Sequence, residues 1–260
     1  PNETLPKGRK QKTTALYDRF VHQGAVMGDS FGLENVLWFA NNKEDAHEEP
    51  TIKRSRSHDY VSKEVINVRE NVGLIEVANF SKHEFKGPDA RKFLDHIMAG
   101  KLPKPGRISL SPMLSYRGKL CGDLTVACLD ENEFMVFGSG AAQEMHRRWF
   151  ESHLGKFNLN YSNRSDEYHG LSIAGPNSRK VLEKIVRDDV SNEKFKFRDS
   201  KKMFVGGVPA IINRISFTGE LGYEIYVAPH YQLKLYEELI QAGKEFNIKP
   251  FGGRALMSMR

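Results

Sequence analysis

Two acids set among glycines and apolar residues are the groups of this chain best suited to chemistry. Asp123 stands in Leu120-Cys121-Gly122-Asp123-Leu124-Thr125-Val126, and Glu220 in Ser216-Phe217-Thr218-Gly219-Glu220-Leu221-Gly222-Tyr223-Glu224. An acid inside an apolar strand is unusual, because an unpaired buried carboxylate is costly. Asp123 is therefore either a strand-edge acid reaching solvent or a basic partner, or a reactive group. The glycines around Glu220 indicate a tight turn with close backbone approach. Glu220 is either a solvated hairpin tip or a ligand grip, since a carboxylate can accept two parallel N–H bonds from a 2-amino-pyrimidinone edge. Phe217 or Tyr223 would stack on such a ring or fill the core. Gly122-Asp123-Leu124 answers Gly219-Glu220-Leu221, which suggests a cleft with two facing carboxylates. One would orient a ligand while the other handles its protons.

A longer repeat supplies the frame for these acids. Gly87-Pro88-Asp89-Ala90-Arg91-Lys92-Phe93-Leu94-Asp95-His96-Ile97 recurs 88 residues later (175 − 87) as Gly175-Pro176-Asn177-Ser178-Arg179-Lys180-Val181-Leu182-Glu183-Lys184-Ile185. Ala90, Phe93, Leu94, Ile97 and Met98 make one apolar helical stripe, opened by Pro88 and stopped by Gly100 and Pro103. The spacing predicts a helix over 88–99, strands over 108–114, 120–129 and 133–137, and a helix over 141–154. The second copy predicts a strand over 171–174, a helix over 176–186, strands over 202–205, 210–217 and 223–227, and a helix over 231–246. Short helices are expected over 16–26 and 61–70, strand character over 73–80 and 83–86, and a loop over 41–57. Residues 1–12 read as a disordered lead-in. Strand, helix, several strands, helix, stated twice, is α+β with antiparallel sheets, not a doubly wound parallel sheet. The expected units are an extension over 1–60 that packs on the second subdomain, a first repeat over 61–155 and a second over 156–260.

Composition narrows the function classes. The chain has 260 residues, 39% of them apolar and 28% charged, which suits a globular protein with a real core. Its net charge of +6 gathers at Lys7 to Lys12 and Lys53 to Arg56, read as a solvated tail and loop and not as a nucleic-acid surface. Cys121 and Cys128 form no CxxC pair, which argues against a disulfide scaffold or zinc site and fits a reducing compartment. No apolar run reaches membrane-spanning length, and no metal-ligand spacing is found. Gly138-Ser139-Gly140 lacks the third glycine of a dinucleotide fingerprint, Gln143 holding its place, so no FAD site is expected within the chain.

With Phe85-Lys86-Gly87-Pro88-Asp89-Ala90, Gly122-Asp123-Leu124-Thr125-Val126 and Arg214-Ile215-Ser216-Phe217-Thr218-Gly219-Glu220-Leu221-Gly222-Tyr223-Glu224 in this order, the chain closely resembles a known family. It is similar to the folate-binding, aminomethyltransferase-type half of the dimethylglycine and sarcosine dehydrogenases. The glycine-cleavage T-protein is a more distant relative. The segment from Gly24-Ala25-Val26-Met27-Gly28 through Trp38-Phe39-Ala40 resembles the entry to this half. The resemblance implies duplicated ferredoxin-like subdomains and tetrahydrofolate bound in the cleft between them. It implies that an upstream FAD domain oxidises a methylated amine to an iminium. This half then captures the one-carbon unit as 5,10-methylene-tetrahydrofolate. It implies Asp123 as the catalytic residue and Glu220, Tyr223, Thr125 and Arg214 as folate-binding residues. A cytoplasmic location follows, or the mitochondrial matrix in a eukaryote, with neither nucleic acid nor membrane as partner.

Three departures qualify the resemblance. Glu76-Val77-Ala78 stands where sarcosine dehydrogenases resemble Asp-x-Ser, and Leu256-Met257 replaces the T-protein's Arg-Asp pair. The sequence stops at Arg260, where the family continues toward a further β-rich domain, so it reads as a fragment or a reduced relative. The rival readings are a non-catalytic folate-binding module and a flavin-independent, tetrahydrofolate-dependent demethylase.

Overall fold

The computed structural model describes residues 8–47 and 51–260. The parts of the expected lead-in at 1–7 and of the expected loop at 48–50 lie outside the described residues. In chain order the elements are α1 (Tyr17–His22), β1 (Ala25–Ser30), β2 (Leu33–Phe39), α2 (Ser57–Glu70), β3 (Gly73–Glu76) and β4 (Phe80–Lys86). Next come α3 (Ala90–Ile97), β5 (Arg107–Leu114), β6 (Leu120–Asp130), β7 (Glu133–Ser139), α4 (Gln143–Leu154), β8 (Asn160–Asn163) and β9 (His169–Ala174). The rest are α5 (Ser178–Glu183), β10 (Ser200–Val205), β11 (Val208–Asn213), β12 (Gly222–Val227), α6 (Gln232–Gly243), β13 (Lys249–Pro250) and α7 (Gly253–Met259).

The duplication is visible in the sheets. One sheet runs β5-β6-β7-β4-β8, the other β10-β11-β12-β9-β3-β13. Matching β4 to β9, β5 to β10, β6 to β11 and β7 to β12 gives the same order and the same antiparallel pairing twice. Only β13 joins its neighbour β3 in parallel. The short strand before each repeat crosses over: β3 precedes β4 but pairs with β9, and β8 precedes β9 but pairs with β4. Each sheet is therefore completed by a strand leading into the other. Gly87 and Gly175 turn each first strand into its helix with φ of 137° and 127°. A Cβ at Gly175 would lie 2.5 Å from the Val68 carbonyl oxygen, so the repeated glycine is a packing requirement as well as a conformational one.

Three apolar layers follow from the strand alternation. Phe93, Leu94 and Ile97 of α3 meet Leu124, Val126 and Val136 on the outer face of the first sheet. Val181 and Leu182 of α5 and Leu235 and Leu239 of α6 meet Leu171, Ile173, Tyr223 and Ile225 on the outer face of the second. Between the sheets lie Ile108, Ala127, Met135, Phe137, Ile211 and Tyr226, closed off by Trp38, Val68, Phe251 and Ala255. Phe137 and Tyr226 occupy matching places on β7 and β12, and their rings stack with centroids 4.6 Å apart. This pair marks the pseudo-twofold axis. A fully buried aromatic residue here contributes roughly 1.5–3 kcal/mol of transfer free energy.

The expected match of Asp123 to Glu220 does not hold. Thr125 pairs with Phe137, and Ile211 pairs with Tyr226, so Thr125 corresponds to Ile211 and Asp123 to Pro209. Glu220 lies instead in the loop between β11 and β12. The Gly-acid-Leu triplets are 97 residues apart (220 − 123), while the true repeat runs at about 88, so their likeness is a coincidence of local sequence.

The lead-in at 8–12 is also ordered, contrary to expectation. Arg9 grips the buried carboxylate of Glu34 with two nitrogens, Nε at 3.0 Å. Lys12 adds main-chain bonds to Gly32 and Glu34, both at 3.0 Å. The charges that suggest a solvated tail are partnered ones.

Candidate active site

Asp123 lies on β6 opposite Pro112 of β5, on the face that looks toward the second sheet. Deeper on that face, Ile108 and Ala127 are buried between the sheets. Further out the β5–β6 hairpin extends past its cover. Leu110, across from Thr125, is 63% exposed, and Leu120 is 64% exposed. Asp123 is exposed among these apolar groups, with half-buried Thr125 beside it on the same face. Thr125, Phe137 and Lys82 form one row across β6, β7 and β4. The β6–β7 pairing ends at Thr125 and Phe137, with Asp123 two residues further out along β6, while Phe80 pairs with Ser139 at the end of β7.

Phe80 is a wall of a cavity of about 80 Å³. Asn35, Ile75, Glu76, Asn79 and the α7 residues Gly253 and Leu256 complete much of the lining. The carboxyl group of Glu76 accepts hydrogen bonds from Gln232 of α6 and from Thr14. Burial pushes its pKa up to about 7. Leu256, a departure from the T-protein pattern, is thus a lining residue.

Behind the cavity sits a buried polar cluster. Lys82 donates from Nζ to the Ala78 carbonyl at 2.9 Å and lies over the Tyr226 ring. Burial lowers its pKa to about 7, opposed by the charges of Asp166, Glu76 and Glu224. Burial also raises Glu224 to about 7, and the Tyr226 hydroxyl donates to Glu224 at 2.8 Å. Tyr226→Phe removes that donor from an enclosed carboxyl. The folded pKa of Glu224 lies above its ordinary 4.5, so its contribution to stability is fully present below 4.5 and is lost as pH rises through about 7. Losing the donor raises the folded pKa further. The variant should be less stable by about 1–3 kcal/mol, with a deficit that grows as pH rises through 7, measured by urea unfolding on either side of neutrality.

Glu220 is held elsewhere. In its loop Ser216 Oγ and Thr218 Oγ1 share a hydrogen bond of 2.8 Å, and the Glu220 amide donates to Thr218 Oγ1 at 3.3 Å. The carboxylate accepts from Arg69 Nη1, on the last turn of α2, at 2.6 Å. Arg69 Nη2 also reaches the Met259 carbonyl at the end of α7 at 3.2 Å. Leu256 and Met259 are about 4.5 Å apart along the helix axis. Glu220 is therefore tied through Arg69 to the helix that lines the cavity.

Two residues expected to face the ligand make their contacts within the protein. Tyr223 points with Ile225 and Val227 into the outer core of the second sheet, stacked on Phe195 with centroids 5.8 Å apart. Arg214 is spent on the Phe195 carbonyl and on Asn192 Oδ1, the latter at 2.6 Å. Phe217, for which the sequence allows ring stacking or the core, is 36% exposed beneath the guanidinium of Arg260, whose carbon is 4.5 Å from the ring centroid. Arg69 carries no sequence signal. Glu76 and Glu224 carry one, each a charged residue among apolar strand neighbours, whereas Lys82 sits in the polar strand Phe80–Lys86. Among the described residues no three His, Cys, Asp or Glu side chains gather as a metal site, and no helix is long and apolar enough to cross a membrane.

Comparison with known proteins gives consistent matches. The family model of the GCVT N-terminal domain matches residues 16–260. Mouse mitochondrial dimethylglycine dehydrogenase is 34% identical over 264 aligned residues, which take in 100% of this chain and 30% of the mouse protein. The sarcosine oxidase α subunit of Rhizobium meliloti is 32% identical, with 96% of this chain covering 25% of that subunit. The chain thus spans less than a third of the length of these two relatives. The crystal structure of glycine cleavage system aminomethyltransferase T from Bartonella henselae superposes with a TM-score of 0.78 at 22% identity, over 96% of this chain and 62% of that one. That likeness speaks for the fold.

Proposed function

Because this chain belongs to the GCVT N-terminal domain family, we propose that it binds tetrahydrofolate and transfers to it a one-carbon unit from a methylated amine, forming 5,10-methylene-tetrahydrofolate. The observation that carries the reading is the setting of Asp123, an exposed carboxylate on an apolar sheet face beside half-buried Thr125 and exposed Leu110. The residues fit a reduced folate in chemistry: a carboxylate at Glu220 for the donor edge of the pterin, apolar surface at Leu110 and Leu114 for an aromatic ring, and a second acid for the amines. When bound, tetrahydrofolate supplies two amine nitrogens that take the carbon from the iminium, releasing free amine and one proton. Asp123 as carboxylate stabilises positive charge at those nitrogens and accepts that proton. Glu220 accepts the pterin N–H bonds and fixes its orientation. Leu110 and Leu114 keep water from the carbon under transfer, which would otherwise be lost as formaldehyde. The methylated amine is of the dimethylglycine or sarcosine type, and an FAD domain in the same protein supplies its iminium. Thr125, beside Asp123, is a contact of the bound folate. Tyr223 and Arg214 support it from behind by holding β12 and its loop.

Titration with 5-formyltetrahydrofolate, a stable reduced folate, tests the reading. Saturable one-to-one binding is expected and, in a separate assay, tetrahydrofolate and formaldehyde should form methylene-tetrahydrofolate faster than without the protein. Absence of binding contradicts the proposal, and binding without acceleration reduces the chain to a folate-holding module.

A further inference from the structure

We infer that Arg69 is the positioning residue of the folate grip: it holds the Glu220 carboxylate in the orientation that receives the pterin and ties it to the cavity wall. This rests on the reading of Glu220 given above.

The inference comes from three contacts that meet at one corner. Arg69 Nη1 donates to Glu220 Oε1 at 2.6 Å, and Nη2 donates to the Met259 carbonyl at 3.2 Å. Arg260 covers the Phe217 ring of the same loop. The Met259 carbonyl belongs to α7. The same helix lines the cavity through Gly253 and Leu256. One guanidinium therefore bridges the carboxylate and the helix that forms the wall.

The geometry suits shared use of the carboxylate. Arg69 is seated on Oε1, and among the described residues no hydrogen bond to Oε2 is resolved. Each carboxylate oxygen accepts two hydrogen bonds, so Oε1 can keep Arg69 and still take one pterin N–H while Oε2 takes the other. A planar fork anchored at its second nitrogen restricts rotation of the acid, which a point charge would not do. Without Arg69, the acid rests only on Gly219, whose φ is 79°, and on hydroxyl contacts of the loop, and it regains rotamer freedom that binding must then remove. The pair is partly solvated, with side chains 47% and 23% exposed, so it does little for overall stability and its effect belongs to the ligand.

The test is a double-mutant cycle read by 5-formyltetrahydrofolate titration, with thermal unfolding as a check on folding. Arg69→Ala should weaken binding roughly three- to tenfold, with turnover at saturating folate nearly unchanged. Arg69→Lys keeps the charge but not the fork, and should fall between wild type and Arg69→Ala, which also serves should the alanine variant fold poorly. In a Glu220→Gln background, removing Arg69 should cost less than about twofold or restore some affinity, because Arg69 there holds the amide oxygen away from the pterin. If Arg69→Ala leaves affinity unchanged or tightens it, or costs the same in both backgrounds, the positioning role is wrong. If Glu220→Gln itself leaves binding unchanged, the reading of Glu220 as the grip fails first.

Discussion

Asp123→Asn is expected to lower the rate of one-carbon transfer by roughly one to three orders of magnitude while changing folate affinity by less than about threefold. The asparagine keeps the size and one acceptor oxygen but neither carries charge nor takes up a proton. The side chain stands exposed on β6, so the substitution buries nothing new and fold stability should stay close to that of wild type. The split between rate and affinity is what distinguishes a group acting on charge that develops during transfer from one that binds the ground state. Turnover at saturating folate, set beside the dissociation constant of 5-formyltetrahydrofolate, reads both. Loss of binding with the rate per bound complex preserved would make Asp123 a binding residue.

Glu220→Gln should show the opposite pattern, a loss of affinity of about ten- to a hundredfold with a smaller change in rate at saturation. Arg69 sharpens this expectation. Its guanidinium will claim the one remaining acceptor oxygen of the glutamine, which turns the amide NH2 toward the pterin, donor against donor. The loss is that of a charge-assisted hydrogen bond plus an unmatched N–H pair. Calorimetric titration measures it directly. An unchanged dissociation constant would mean that the pterin edge does not meet this loop.

Much of this arrangement can be read from sequence, for identifiable reasons. The Gly-Pro-x-x-Arg-Lys-x-Leu repeat reports a structural unit built twice, because each glycine sits where a side chain would strike backbone and each following stripe packs on its own sheet. The crossing of β3 and β8 into opposite sheets is not legible, since four-residue strands take their partners from long-range contacts. The ordered segment from Arg9 to Lys12 is hidden for a related reason: its charges find buried or backbone partners that only the fold brings near. Tyr223 was legible as core, because period-two alternation groups it with Ile225 and Val227 and separates it from Glu224 and Tyr226. The likeness of the triplets around Asp123 and Glu220 misleads, because three residues are too few to fix a register against an 88-residue period. Arg69 ends an ordinary helix, and only its neighbours reveal it.

The central claim is that one reduced folate spans the space between Glu220 and Asp123. A crystal structure of the protein with 5-formyltetrahydrofolate tests this most directly. The account predicts the 2-amino-pyrimidinone edge within hydrogen-bond distance of the Glu220 carboxylate, and the bridge nitrogens turned toward Asp123 across the face that carries Thr125 and Leu110. Folate seated with its pterin away from Glu220, or bound on the outer, helix-covered face of either sheet, would contradict it.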